Sequence, residues 1–143
     1  MSLRLFVYIL TFVAILLIGL IVIANNRNKT QNRIFALFLA TTNMWVLSLI
    51  FADNSSSTQV ALLASQAAYI SAVLMAYTLL YFSFVFPNTN RLPSKRNLIL
   101  LLILPIILIL PVGSSLIIQT VKIEDYGANV TPGPFYTVFL IYV

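Results

Sequence analysis

Leu5-Phe6-Val7-Tyr8-Ile9-Leu10-Thr11-Phe12-Val13-Ala14-Ile15-Leu16-Leu17-Ile18-Gly19-Leu20-Ile21-Val22-Ile23-Ala24 runs straight into Asn25-Asn26-Arg27-Asn28-Lys29-Thr30-Gln31-Asn32-Arg33. The first stretch is about the 20 residues that a helix needs to cross a hydrocarbon core of roughly 30 Å. The second ends it abruptly with amides and three cations. An uninterrupted apolar run of this length must satisfy its own backbone hydrogen bonds in lipid, so it is read as a transmembrane helix.

The same alternation continues along the chain. A second apolar run spans 34–52 and closes at Asp53-Asn54-Ser55-Ser56-Ser57. A third covers about 60–86 and ends at Pro87, and a fourth covers 98–118. A fifth opens with Pro134, which suits the first turn of a helix, and is incomplete at Val143. The fold class expected is an all-α membrane protein: a polytopic helical bundle in one domain, with four complete spans and the start of a fifth. Membrane β-strands would show segments of roughly ten residues with alternating polarity, and no such alternation is read here.

Composition agrees. Of 143 residues, 61% are hydrophobic and 8% charged, with a mean hydropathy of +1.02. A soluble domain carries about a quarter charged residues, so this chain lacks the means to coat a water-facing surface. Cysteine and histidine are absent and only Asp53, Glu124 and Asp125 are acidic. Disulfides, thiolate or imidazole metal sites and a phosphoaccepting histidine are therefore excluded within these residues. No catalytic, metal or cofactor site is expected, and this segment is read as non-enzymatic.

The net charge of +5 is read as membrane orientation and not as nucleic-acid binding. Arg27, Lys29 and Arg33 fill the first loop; Arg91, Lys95 and Arg96 fill the third. The second loop has no cation, and the fourth has Lys122 beside Glu124 and Asp125. Because basic loops stay in the cytoplasm, the N-terminus is expected outside. Arg4 and Lys122 are outvoted by those six. Arg4, the apolar stretch after it and Val22-Ile23-Ala24 could be taken for a signal peptide, but the stretch is longer than a signal peptide needs, and cleavage would leave Arg27, Lys29 and Arg33 outside.

Inside the expected spans the polarity is neutral, which argues against an ion-coupled pump built from these helices. The second span carries Asn43, which needs a partner on a neighbouring helix, and Trp45, deeper than the usual interfacial belt. On the third, Ser65, Gln66, Tyr69, Ala72, Ala76 and Tyr77 fall on one broad face, with Met75, Phe82 and Val85 away from it. Asn43, Trp45, Ser65, Gln66, Tyr69 and Tyr77 are thus candidates for a ligand-facing wall or for interhelical packing. Pro105 and Pro111 interrupt the fourth span and are candidate hinges.

The order of motifs is informative. The second span opens Asn32-Arg33-Ile34-Phe35-Ala36-Leu37-Phe38 and carries Trp45; the third closes Tyr81-Phe82-Ser83-Phe84-Val85-Phe86-Pro87. After the basic loop and the proline-bearing span come Tyr126-Gly127 and Pro132-Gly133-Pro134-Phe135-Tyr136. In this arrangement the chain resembles the N-terminal seven-transmembrane sensor region of prokaryotic membrane histidine kinases. The resemblance implies a sensory input module in the cytoplasmic membrane of a bacterium or archaeon, multi-pass, with its N-terminus outside. It also implies homodimerisation and two further helices, with a kinase output, beyond Val143. A small hydrophobic ligand and the lipid bilayer are the expected partners, with no nucleic acid. A transporter fragment or a small accessory membrane protein are the alternatives; an internal repeat, a broken helix with paired glycines or an intramembrane carboxylate would favour the transporter.

Overall fold

The computed structural model describes residues 3–86, 94–124 and 127–143, apart from the side chain of Lys95. Pro87 and Arg91, read above as a helix stop and a loop cation, lie outside the described residues, as do Asp125 and Tyr126. Four long helices dominate: α1 (Leu3–Asn25), α2 (Thr30–Asn54), α3 (Thr58–Val85) and α4 (Lys95–Ile109). A 3₁₀ turn, Leu110–Gly113, extends the last of them, so that Arg96–Gly113 forms a fourth stretch long and apolar enough to cross a membrane. A two-stranded antiparallel hairpin follows, β1 (Ile118–Glu124) and β2 (Gly127–Pro132), and then a short helix, α5 (Tyr136–Tyr142).

The helix boundaries have local causes. Asn32 donates from its side-chain amide to the carbonyls of Val22 and Asn26 at 3.1 and 3.0 Å, satisfying groups that the end of α1 leaves open. At Phe86 the backbone turns extended, φ −99° and ψ 134°, as the residue before a proline prefers. Ser94 caps α4, its hydroxyl accepting from the Asn97 N–H at 3.3 Å.

α2 and α3 pack along their length and form the spine of the bundle. Ser71, Thr78 and Val85 are buried at seven-residue intervals on α3, a spacing that keeps them on one face. Thr78 meets Thr41 of α2 at 3.2 Å. Val85 was expected away from the face of Ser65, Tyr69 and Tyr77; it is fully buried, in line with Ser71 and Thr78. At the end of this seam Phe82 packs tilted against Phe35 and stacks on Phe86, with ring centroids 5.2 and 5.5 Å apart. α1 packs on α2 and contains no buried residue. Its exposed Leu, Ile, Val and Phe side chains would be untenable in water and are what lipid solvates.

The hairpin corrects the sequence reading, which ran the fourth span to residue 118 and saw no strands. Pro111 cannot donate to the helix and its ring crowds the preceding turn, so α4 tightens into the 3₁₀ turn and stops. The apolar residues beyond it pack on protein: Ile117 and Ile118 join Ala61, Val112 and Val121 in a buried cluster. Ile118 pairs with Pro132 and Thr120 with Thr131, leaving Gln119 as a bulge. The extra residue brings Ile118 and Val121, three apart, onto the same buried face. That spacing hid the period-two pattern by which a strand is recognised.

Gly133 is required where the hairpin rejoins the bundle. A Cβ there would collide with the Leu116 carbonyl oxygen. The Gly133 N–H donates to Ile117 at 2.8 Å and that of Phe135 donates to Leu116 at 2.9 Å, so backbone lies on backbone.

Candidate functional site

The small residues of α3 create room. Ala68 and Ala72, both buried, line a cavity of about 250 Å³ together with Ser65 and Tyr69, also from α3. Trp45 and Leu49 of α2 form the opposite wall, Val130 of the hairpin reaches it from one side, and Tyr136 and Phe139 of α5 close the other. The cavity thus lies between the helical spine and the elements that the sequence reading resolved least.

Four of its nine lining residues are aromatic. Tyr69 stands 4.8 Å from Phe139 and 6.0 Å, edge-on, from Tyr136, centroid to centroid. Such tilted and edge-to-face pairs suit the ring quadrupoles and hold the rings in place. Trp45 packs with Tyr69 and Tyr136 on the cluster of Ala72, Val73, Leu108 and Phe139, which accounts for a tryptophan set deeper than the interface. The Ser65 hydroxyl already donates to the Ala61 carbonyl at 2.8 Å, and Tyr69 and Tyr136 bring two further hydroxyls to the lining. Among the described residues no buried side-chain polar atom lacks a partner. With apolar side chains and ring faces beside a few hydroxyls, the wall suits an apolar or weakly amphipathic ligand.

The sequence-derived candidates separate. Trp45, Ser65 and Tyr69 come together at the cavity. Asn43 faces α1: with its amide turned to pair both ends, it donates to the Phe12 carbonyl at 3.1 Å and accepts from the Leu16 N–H at 3.2 Å. It is interhelical glue. Gln66 and Tyr77, both half-buried, do not line the cavity. Tyr77 lies one turn along α3 from Val73, whose carbonyl accepts from the Tyr142 hydroxyl at 3.4 Å. Pro105 is buried within α4, and Pro111 stands where α-helix becomes 3₁₀. Leu49, Ala68, Val130, Tyr136 and Phe139 were missed. Ala68 was legible from its i, i+4 spacing to Ala72, whereas Val130 and Phe139 reach the site only through the hairpin.

No metal-binding cluster of acidic side chains occurs among the described residues. Four membrane-length helices, with a cavity between α2, α3, α5 and a hairpin packed on one end, define a polytopic membrane domain. The family model of the N-terminal 7TM region of histidine kinases matches residues 7–143, and the chain belongs to that family. No curated protein and no solved structure matches it.

Proposed function

We propose that this domain is the sensory input of a two-component histidine kinase and that it reads a small apolar or weakly amphipathic molecule in the cavity between α2, α3, α5 and the hairpin. Family membership over residues 7–143 carries the reading; the aromatic cavity supplies a place for the stimulus to act. The cavity is slightly smaller than the range of roughly 300–1,000 Å³ typical of drug-sized ligands, so the occupant is small. The hairpin end faces outside and the Arg27–Arg33 end faces the cytoplasm of a bacterium or archaeon. The domain itself performs no catalysis. It works within a homodimer, passing a shift in helix packing to an output beyond Val143.

A ligand can shift such an equilibrium only by its difference in affinity for the two packings. Occupancy that wedges Tyr69 and Phe139 apart would favour one position of α5 over another. The test uses the intact kinase in nanodiscs with p-bromobenzyl alcohol as probe. Trp45 is the single tryptophan of this region and lies in the wall, so bromine quenching of its emission reports occupancy. Saturable quenching coupled to a change in autophosphorylation, both lost on Ala72→Leu, is expected. Linear, non-saturating quenching, or an Ala72→Leu kinase with unaltered basal and probe-dependent activity, would refute the reading.

A further inference from the structure

At the end of the bundle opposite the hairpin, α1, α2 and the loop between them border an open groove of about 570 Å³. Arg27, Asn28 and Arg33 stand at its mouth, and Ile23, Ala36 and Ala40 are among its walls. A second depression of about 130 Å³ shares Ile23, Ala36 and Ala40 and continues past Gly19 to Asn43. Joined, they form one trough with a cationic head and an apolar tail. Gly19, Ala36 and Ala40 are the small residues that leave it open.

The dimensions match one leaflet. Ile15, at the far end, is about ten residues from the end of α1, and Asn43 is about ten residues from Arg33. Each distance is about 15 Å at 1.5 Å per residue, half of a hydrocarbon core of roughly 30 Å. The charge is also one-sided: residues 25–33 contain three cations and no acid, and the described carboxylates, Asp53 and Glu124, lie at the hairpin end. The mouth is held in shape by the Asn32 bonds to Val22 and Asn26 and by the Asn28 N–H donating to the Asn26 side chain at 3.1 Å.

We propose that this trough binds one anionic phospholipid, its phosphate between Arg27 and Arg33 and one acyl chain lying along Ala36 and Ala40 toward Asn43. A lipid held there would extend the thin α1–α2 interface by bridging both helices. The site shares α2 with the sensory cavity but none of its lining residues, and it does not rest on the kinase reading.

The test is photo-crosslinking in nanodiscs with phosphatidylglycerol carrying a diazirine on its acyl chain, and with the corresponding phosphatidylcholine. A basic residue near an anionic surface is worth about a fivefold preference, so labelling of peptide 36–43 should favour phosphatidylglycerol on the order of tenfold. Arg27→Gln with Arg33→Gln should remove that preference, while the paired Lys variants should retain most of it. Ala40→Trp leaves every charge in place and should abolish labelling by filling the trough, so the test survives if the glutamine variant fails to insert. Equal labelling by the two lipids, a preference that persists in the glutamine variant, or unchanged labelling of Ala40→Trp would each overturn the proposal. Competition by millimolar inorganic phosphate would also overturn it, by showing that the site takes the free anion.

Discussion

The Tyr8 hydroxyl, near the start of α1, donates to Asp53 Oδ2 near the end of α2 at 3.0 Å. The other carboxylate oxygen of Asp53 accepts from the Ala128 N–H of β2 at 3.4 Å, and Gly127 leaves no room for a Cβ beside it. One carboxylate thus joins α1, α2 and the hairpin that borders the cavity. Hydrogen bonds to charged groups are worth about 1.5–3 kcal/mol when well formed, and less here because the site is only half-buried and the second bond is long. Asp53→Ala should loosen the hairpin, speeding hydrogen exchange in residues 127–132 by about tenfold, which corresponds to roughly 1.4 kcal/mol. Asp53→Asn retains an acceptor and should have the smaller effect.

The glycines should respond in a fixed order. Gly133→Ala drives a methyl into the Leu116 carbonyl, and Gly127→Ala places one 2.9 Å from Asp53 at a φ of +125° that disfavours side chains. Each should destabilise by about 1–3 kcal/mol, the range for overpacking. Gly113, with nothing within 4 Å of its added Cβ, should accept alanine with little change. Thermal unfolding in a single detergent measures all three.

The Thr41–Thr78 contact tests how much a buried hydroxyl pair contributes in lipid. Each hydroxyl has a single proton and a competing acceptor on its own helix, the Leu74 carbonyl at 2.9 Å for Thr78 and that of Phe38 at 2.8 Å for Thr41, so at most one of them donates across the pair at a time. A double-mutant cycle with valine at both positions should give a coupling of only about 0.6 kcal/mol, the average for such bonds in membranes.

Asn43→Leu removes the polar link between α2 and the backbone of α1 at Phe12 and Leu16. Since no residue of α1 is buried, this helix has little packing in reserve. Its amides should lose protection in hydrogen exchange while those of α3 keep theirs. Equal loss in both helices would show that α1 and the spine unfold together.

Membrane residence and the number of long spans followed from run length alone, because a bilayer selects for about 20 consecutive apolar residues and forces them into helix. The helix stops at Asn25 and before Pro87 were equally local, and the separation of charge is written into the loops. Trp45, Ser65 and Tyr69 were marked as unusual by being polar or amphipathic within apolar runs. Tertiary structure decided the rest. Ile117 and Ile118 look like the tail of a span, and only their contacts with Ala61 and Val121 show them packed under a hairpin. Asn43 and Trp45 are two residues apart on α2 yet serve different neighbours, α1 and the cavity, because a helix turns 100° per residue and composition does not say which helix lies on which side. Asp53 read as the polar end of a span; its role as a junction depends on Tyr8 and Ala128, residues 45 and 75 positions away. Such distant partners are brought together by packing, and no local pattern encodes them.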